Sequence, residues 1–331
     1  MTIYDIAQEA GVSASTVSRV INKKKGVNKN NRILVETLLK KYNFEPNASA
    51  RGLVQQSTKI IGIVMSDIRT AHHAEGAYFM EQELKNYGYN CIIINSGFSD
   101  ATREESIRTL FSRRVEAIVL VGSTFQSETM KKAILEYLGD LPVIIENGYI
   151  DLPNVYGVLT DEEHGIADCV RLLYAKGKRH MAFINRGDTP SNNLKILGFQ
   201  NALKGFPDCE DPPVLRLNTD EDEWDESYAA TRRLMEEHPA TDSIIYATDF
   251  LAIAGIQALK DAGYAIPGQV AVVGVDNSVY ARISSPRLTS LDNKLEQLSI
   301  TCSDILVKVL RGEKVANKMM IFSNIAERET T

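Results

Sequence analysis

The sequence lacks long apolar runs and contains few cysteines, and each absence excludes a class of protein. Four cysteines are spread over 331 residues, and none forms a Cys-x-x-Cys pair. Zinc sites and disulfide frameworks need closer or more numerous cysteines, so we expect no metal site and a reducing compartment. Neither the N-terminus nor any other segment carries an apolar stretch that could cross a bilayer. We therefore expect no signal peptide, no membrane partner and a cytoplasmic location.

Motifs of common α/β enzymes are also missing. The chain contains no G-x-G-x-x-G sequence, no G-x-x-x-x-G-K-[ST] sequence and no nucleophile elbow. Asp249 and Asp276 could imitate a catalytic pair, but a ligand-binding role is the stronger interpretation of two such carboxylates. We predict that the protein is not an enzyme, has no catalytic residues and uses no cofactor.

Charge is distributed unevenly along the chain. Residues 1–60 contain ten Lys and Arg against four Asp and Glu, whereas the remainder contains 27 against 39, and the net charge is −6. A basic head on an acidic body predicts a polyanionic partner for the head alone. The alternative is a solvated basic surface that has no partner.

The first 22 residues have the pattern of two short helices joined by a glycine turn. Thr2 can cap the first helix with Asp5 at the reciprocal position, Gly11 can end it, and Ser13 can cap the second helix. This arrangement predicts a helix-turn-helix, which places a helix end in the major groove of double-stranded DNA.

A third helix is predicted from about Lys29 to Tyr42. Its buried face is expected to consist of Ile33, Leu34, Thr37, Leu38 and the stem of Lys41. Residues 46–58 then form a hinge and linker, in which Pro46 permits one short helix. Its apolar content is too low for it to fold alone, so it is expected to order only against DNA or a partner copy.

The rest of the chain alternates apolar strands with helices. Apolar runs occur at 60–65, 91–94, 117–121, 143–145, 180–184, 243–246 and 270–275, with helical segments such as 74–87, 102–114 and 249–262 between them. Continuous apolar strands between helices indicate parallel sheets covered on both faces. The predicted fold class is α/β, with an all-α head (1–45) and a body (59–331) of two doubly wound subdomains.

The chain resembles the lactose/purine repressor family of bacterial transcription regulators. The motifs that carry the resemblance are Asp5-Ile6-Ala7, Ala10-Gly11-Val12-Ser13, Thr16-Val17-Ser18-Arg19-Val20-Ile21-Asn22, Pro46-Asn47-Ala48-Ser49-Ala50-Arg51-Gly52-Leu53, Ala247-Thr248-Asp249 and Val273-Gly274-Val275-Asp276-Asn277. The resemblance implies a body like a periplasmic sugar-binding protein, with three crossovers between subdomains of about 59–160 plus 292–321 and 161–291 plus 322–331. It also implies a homodimer that reads a palindromic operator.

The resemblance assigns DNA contacts to the head. Ala14, Ser15 and Arg19 match the main base readers, and an arginine can fork onto a guanine edge. Thr16 can reach bases or phosphates. The residues that match contacts to the DNA backbone are Thr2, Ser13, Ser18, Asn22, Asn28 and Asn31.

The hinge carries three further DNA contacts that the resemblance implies, at Asn47, Ala50 and Leu53. Leu53 matches a leucine that wedges into the minor groove, and an apolar wedge kinks the duplex. The alternative is that Leu53 is a linker residue that packs on the body. If the wedge is correct, Leu53→Ala should weaken operator binding at least tenfold and leave effector binding intact.

A small-molecule effector site is expected at the carboxyl ends of the parallel strands. Ser123, Asn147, Asp161, Asp249 and Asp276 each follow a predicted strand and can hydrogen-bond to sugar hydroxyls. The single tryptophan, Trp224, is the expected stacking surface, and its alternative role is that of a core anchor.

The expected effector site departs from the family pattern in three places. Trp224 lies about two positions from the family's aromatic residue in that loop, and Asp222 is nearer the matching place. His72 and His73 stand where relatives commonly carry aromatic residues, and they could stack, hydrogen-bond, sense charge or lie in an exposed loop. Lys195 stands where an arginine usually clamps the ligand, and lysine keeps the charge but loses the bidentate fork.

We therefore expect a nucleoid-associated repressor of carbohydrate-utilisation genes that responds to a sugar or sugar phosphate. A catabolite regulator controlled by a phosphorylated carrier protein is the alternative, and a sugar-binding protein without a DNA role is a weaker one. No leucine heptad follows the body, which favours a dimer over a tetramer. Whether the effector releases or strengthens DNA binding is left open.

Overall fold

The computed structural model describes residues 2–21, 23–44, 57–209, 212–218 and 222–331. The chain divides into two units, Met1–Lys59 and Ile60–Thr331. They are called the head and the body below. Most of the hinge, with Asn47, Ala50 and Leu53, lies outside the described residues, and so does Asn22.

The head contains three helices in its described part: α1 (Ile3–Ala10), α2 (Ala14–Ile21) and α3 (Lys29–Lys41). The capping box at the start of α1 is present, because the Asp5 amide donates to Thr2 Oγ1 and the Thr2 amide donates to Asp5 Oδ2. Gly11 ends α1 at a φ of 62°, in the left-handed region that favours glycine.

The core of the head differs from the sequence prediction on α3. Ile33, Leu34, Thr37 and Lys41 are exposed, against the prediction, whereas Leu38 is buried as predicted. Val35, which was not predicted, is buried with Leu38 against Ile6, Ala7, Ala10, Val17 and Val20 of the first two helices. The apolar residues of α3 occupy more than one side of the helix, and the prediction was wrong about the side of Ile33 and Leu34. Contacts with α1 and α2 select the side of Val35.

The first sheet of the body is parallel and lies among helices of its own subdomain. Its strands are β1 (Ile60–Met65), β2 (Asn90–Asn95), β3 (Ala117–Val121), β4 (Val143–Glu146), β5 (Val155–Thr160) and β11 (Lys318–Ile321), in the order β11-β5-β4-β3-β1-β2. The helices are α4 (Ala71–Asn86), α5 (Asp100–Ser112), α6 (Glu128–Ala133), which a π-helical turn (Ile134–Leu138) extends, and α12 (Leu295–Leu310).

The second sheet repeats this pattern. Its strands are β6 (Met181–Arg186), β7 (Val214–Leu217), β8 (Ser243–Tyr246), β9 (Ala271–Val275), β10 (Thr289–Asp292) and β12 (Asn324–Ala326), in the order β12-β10-β9-β8-β6-β7. Only β12 is antiparallel among these pairs. The helices are α7 (Glu162–Ala175), α8 (Pro190–Leu203), α9 (Glu223–Glu237), α10 (Asp249–Asp261) and α11 (Val279–Ile283).

The chain passes between the two sheets three times, from β5 to α7, from β10 to α12 and from β11 to β12. The central strands are buried along most of their length, which explains their unbroken apolar sequences. The sequence prediction missed β7, β10, β11 and β12, which are short and largely polar or exposed. Among the described helices, none is long and apolar enough to span a membrane.

Candidate functional site

A cavity of about 550 Å³ opens between the two subdomains of the body, at the carboxyl ends of their parallel strands. Its volume lies in the range of small-molecule sites. The residues that line it are Asp67, Arg69, Thr70, Ala71, His72, Phe98, Arg186, Asp222, Glu223, Thr248, Asp249, Phe250, Asp276, Ser278 and Tyr280. Three of the nine effector residues expected from the sequence are among them: His72, Asp249 and Asp276.

His72 and Asp276 face each other across this cavity from different subdomains. His72 Nδ1 lies 3.5 Å from Asp276 Oδ1, and the two side chains are 13% and 15% exposed. Asp276 has a φ of 101°, an uncommon value for a non-glycine residue, and its Oδ1 accepts a hydrogen bond from Asn293 (3.1 Å). Burial disfavours a charge on His72, but Asp276 and then Glu146 outweigh it and raise the pKa of His72 to about 9.

His73 lies beside His72 but turns away from the cavity. Its Nδ1 lies 2.9 Å from the backbone oxygen of Asp67. Burial and then the positive charge of His72 lower the pKa of His73 to about 4. Two adjacent histidines therefore hold opposite protonation states near neutral pH, His72 charged and His73 neutral.

Asp249 begins α10 and lies at the back of the cavity. Its Oδ2 accepts hydrogen bonds from the amide (2.7 Å) and hydroxyl (2.8 Å) of Ser278, and its Oδ1 accepts one from Ser290 (2.6 Å). Burial and then the charge of Asp276 raise the pKa of Asp249 to about 7. These bonds tie the starts of α10 and α11 to β10, so Asp249 fixes the geometry of the second wall.

Lys195 does not open into the cavity. Its Nζ donates to the backbone oxygen of Ala247 (3.2 Å) and lies 3.5 Å from Glu162 Oε1, with both charged side chains buried. Glu162 was not singled out from the sequence, although it is the second of three consecutive acidic residues. It also accepts hydrogen bonds from Ser191 (2.6 Å) and Asn147 (3.3 Å), so it joins both subdomains behind the cavity.

Ser123, Asn147 and Asp161 lie at the joint between the subdomains. Ser123 Oγ accepts from the Ser191 amide (3.2 Å), which links the first sheet to α8. Asn147 Oδ1 accepts from the Thr160 amide (3.1 Å). Asp161 caps α7 through the His164 amide (3.2 Å) instead of facing the cavity. None of the three lines the cavity, and their hydrogen bonds join elements next to the passages between the subdomains.

Aromatic rings form one side of the cavity. Phe250 and Tyr280 line it with ring centroids 5.4 Å apart. Trp224 packs edge-on against Phe250 at 5.9 Å, one ring behind the lining. Phe98 lines the cavity and is 63% exposed. An aromatic side facing polar groups suits a ligand with one apolar and one hydroxyl-bearing face.

The charged rim contains Asp67, which the sequence marks because it follows the first strand of the body, and it also contains residues that the sequence analysis missed, among them Arg69, Arg186 and Glu223. Arg69 Nη2 lies 2.6 Å from Asp67 Oδ2, which lowers the pKa of that carboxyl, and Arg186 lies 3.6 Å from Glu223. Arg186 ends β6, so the strand-end rule that selected Asp249 could also have selected it. Glu223 follows no apolar run that would mark it, and Phe98 follows the run at 91–94 only after three intervening residues.

The head presents a second polar surface, at the start of α2. Ser13 Oγ lies 2.8 Å from Ser15 Oγ and 2.9 Å from Thr16 Oγ1, and it accepts from the Thr16 amide (3.2 Å). Ser15 and Arg19 are exposed, whereas Ala14 and Ser18 are partly buried. Hydroxyls, helix amides and an arginine together can bind phosphates and base edges.

The other head residues expected at DNA have structural roles in addition. Thr2 caps α1 and is exposed, and Asn28 caps α3 by accepting from the Asn30 amide (2.9 Å). Asn31 is partly buried in the first turn of α3. An exposed capping residue lies at the N-terminus of its helix, where the backbone amides attract anions such as a DNA phosphate.

Comparison with known proteins matches both units of the chain. Residues 2–47 match the model of "Bacterial regulatory proteins, lacI family", and residues 58–328 match "Periplasmic binding proteins and sugar binding domain of LacI family". An HTH-type transcriptional regulator of Lachnoclostridium phytofermentans is 33% identical over 100% of this chain and 99% of its own length. Catabolite control protein A of Priestia megaterium is 26% identical over 97% of this chain and 96% of its own.

A similar fold occurs in the Lac repressor dimer bound to operator and the anti-inducer ONPF. The TM-score is 0.89 at 20% identity, and the match covers 100% of this chain and 98% of that one. The fold of that structure agrees with the architecture predicted from the sequence, a helical head and a body of two parallel-sheet subdomains. The predicted fold class is therefore confirmed.

Proposed function

Since the chain belongs to the lacI family of bacterial regulatory proteins, we propose that it represses carbohydrate-utilisation genes under the control of an uncharged sugar. The family assignment makes it a ligand-responsive, DNA-binding transcriptional regulator. The proposal concerns the effector, the residues that bind it and the sense of regulation.

The cavity of the body is the observation that carries the proposal. It combines five carboxyl groups with the rings of Phe98, Phe250 and Tyr280, and three of the carboxyl groups are paired with cations. Carboxylates accept hydrogen bonds from hydroxyls, and rings cover the apolar face of a sugar. The cations of the lining, Arg69, Arg186 and His72, each have a carboxylate partner already, so a phosphate group would have to compete for them and the uncharged sugar is favoured.

The proposed effector contacts are His72, Asp249 and Asp276 directly. His73, Lys195 and Trp224 act from behind, since they contact Asp67, Ala247 and Phe250, which line the cavity or adjoin a lining residue. Ser123, Asn147 and Asp161 act at the joint between the subdomains, through Ser191, Glu162 and the start of α7. Phe250, Tyr280, Arg69 and Arg186 join the contacts because they line the same cavity.

The proposed DNA contacts are those of the head and hinge, acting as a homodimer on a palindromic operator. Base reading is assigned to Ala14, Ser15, Thr16 and Arg19, and positioning to Thr2, Ser13, Ser18, Asn22, Asn28, Asn31, Asn47, Ala50 and Leu53. The proposed domain limits are 1–45, 46–58 and 59–331. Two heads on one axis would read two half-sites.

Control of DNA binding follows from the position of the cavity between two subdomains. A sugar that contacts both walls favours the arrangement in which they are close, and this shifts the population of dimers competent for DNA. The size of the shift equals the sugar's differential affinity for the two arrangements. We propose further that the bound sugar is released unchanged, without catalysis, and that the protein works in the cytoplasm at the nucleoid.

A thermal-shift screen of neutral sugars, followed by operator binding, tests the proposal. A sugar that binds the folded protein raises its melting temperature by mass action. The same sugar should change the affinity for an operator selected from random duplexes. Arg19→Ala should weaken binding to the selected duplexes about tenfold or more relative to binding to random DNA. Lys40→Ala removes an exposed cation of α3 and should weaken binding to both kinds of DNA equally.

The second candidate is a catabolite regulator controlled by a phosphorylated carrier protein, and the similarity to a protein named catabolite control protein A favours a role in catabolite control. The same assay separates the two. If only a phosphorylated carrier protein changes operator affinity, and no sugar in the screen raises the melting temperature, the second candidate replaces the first.

A further inference from the structure

The carboxyl groups that line the cavity all have partners already. Asp67 is paired with Arg69 and Glu223 with Arg186. Two others bind uncharged donors: Asp222 accepts from the amides of residues 224 and 225, and Asp249 accepts from serine hydroxyls and an amide. The fifth, Asp276, is the carboxylate whose charge is compensated from the opposite subdomain.

That compensation comes from His72 at 3.5 Å, a distance at which the contact is an ion pair more than a well-formed hydrogen bond. His72 begins α4 in the first subdomain, and Asp276 follows β9 in the second. The pair is mostly buried, so solvent screens it little. It therefore neutralises a carboxylate of the cavity lining with a cation from the opposite subdomain.

The charge on His72 is itself supported from the first subdomain. Glu146 ends β4, is fully buried and accepts a hydrogen bond from Ser299 (2.7 Å). The charges that act on His72 are those of Asp276 and then Glu146, which favour the imidazolium, and that of Lys195, which opposes it. Burial raises the pKa of Glu146, so Asp276 is the main support of the charge on His72. His73, on the same helix, is held neutral and adds no charge.

We propose that His72 determines the charge class of the effector, because it neutralises Asp276 and so makes the cavity select a polyhydroxyl ligand over an amino-bearing analogue of the same shape. The inference rests on the proposed function and specifies it. With His72 uncharged, Asp276 becomes an unpaired carboxylate in a partly buried site. The affinity of this site for an ammonium group then rises, since hydrogen bonds between charged partners are about twice as strong as neutral ones.

The test compares matched neutral and amino sugars: glucose with glucosamine, galactose with galactosamine, and cellobiose with the glucosamine disaccharide. Calorimetric affinities are measured for the wild type and His72→Gln. We expect the wild type to prefer the neutral member of a pair, and His72→Gln to shift the ratio at least tenfold towards the amine. An unchanged ratio overturns the inference.

Two variants control for disturbance of the fold. His164→Gln removes another histidine that is paired with a carboxylate, at the surface beside Asp161, and should keep the wild-type ratio. The double variant His72→Gln/Asp276→Asn removes both charges and should bring the ratio back towards that of the wild type. A double variant that keeps the amine preference of His72→Gln also overturns the inference.

A measurement without ligand separates this inference from the proposed function. NMR of labelled histidine side chains, assigned with His72→Gln, reports whether His72 is an imidazolium in the free protein at about pH 8. A charged ring supports the inference, and a neutral ring contradicts it. If no sugar of either kind binds, the proposed function fails, and this titration alone decides the role of His72.

Discussion

Glu162 and Lys195 form an ion pair of 3.5 Å in which both side chains are almost fully buried, at 2% and 6% exposed. Glu162 also receives hydrogen bonds from Asn147 in the first subdomain and Ser191 in the second. The pair thus occupies the joint between the subdomains, where its loss would affect folding and the response to the effector together.

Breaking this pair should be strongly destabilising. Glu162→Gln leaves the Lys195 ammonium buried without a counter-charge, which costs about 3 kcal/mol of unfolding free energy. Adding Lys195→Met should recover part of that loss, because the unpaired charge disappears. Urea unfolding checks both values.

Glu327→Gln is the control, because it breaks the more exposed pair with Lys176 and should cost less than about 1 kcal/mol of unfolding free energy. An equal cost for the two pairs would argue against a buried ion pair between Glu162 and Lys195.

The stability of the body should depend on pH through Asp249. Burial, and then Asp276, raises its pKa from 3.8 to about 7, so the folded state binds this proton more tightly than the unfolded state. The resulting stabilisation is complete at pH values below the pKa that Asp249 has in the unfolded chain. It is lost as the pH rises through the pKa that Asp249 has in the folded protein. Between about pH 4 and about pH 7, the melting temperature of the wild type should fall relative to that of Asp249→Asn.

Thermal denaturation over that range measures the effect. Asp188→Asn changes an aspartate that is 74% exposed, and its melting temperature should depend on pH in the same way as that of the wild type. Parallel curves for Asp249→Asn and the wild type would mean that Asp249 is ionised throughout.

The aromatic side of the cavity should contribute to sugar binding through Phe250 more than through Trp224. Phe250 lines the cavity and Trp224 packs behind it at 5.9 Å. Phe250→Ala should lower the affinity for the most tightly bound sugar about fivefold. Trp224→Phe keeps a ring at that position and should change this affinity by less than about twofold. Calorimetry provides the comparison. A larger effect of Trp224→Phe would place the indole in direct contact with the sugar.

The close approach of α7 and α8 should make Gly198 intolerant of a side chain. A Cβ there would lie 2.3 Å from the backbone oxygen of Glu163, which cannot move aside like a flexible side chain. Gly198→Ala should therefore cost about 1–3 kcal/mol in urea unfolding. Gly268→Ala is the matched control, because its Cβ would meet only Ala265 at 3.6 Å. Equal stability of the two variants would contradict this packing argument.

Short continuous apolar runs made most of the body predictable. β1, β3 and β9 are buried strands whose sequences are continuously apolar, whereas β11 is an edge strand whose methionines are exposed, and no run marked it. On α3, periodicity could not decide between the sides of Ile33 and Val35, because only contact with other helices distinguishes them.

The site was predictable where chemistry follows a strand end, as at Asp249 and Asp276. Among Asp161, Glu162 and Glu163 the sequence could not show which carboxylate turns inward, since this depends on how α7 meets the joint. Asp161 caps the helix, and Glu162 takes the buried position. The charge of His72 was equally hidden, because Glu146 and Asp276 approach it from distant parts of the chain.

The last crossover has a consequence for biosynthesis. β11 and β12 are edge strands of different sheets, yet they lie within residues 318–326, and Thr330 is buried with its hydroxyl bonded to the backbone of Val272. While the chain is being made, neither sheet can be completed until the segment 318–326 has left the ribosome. A message cut short ahead of residue 318 would leave both halves of the body unfinished at once, and quality-control proteases would meet β5 and β10 as uncovered edge strands.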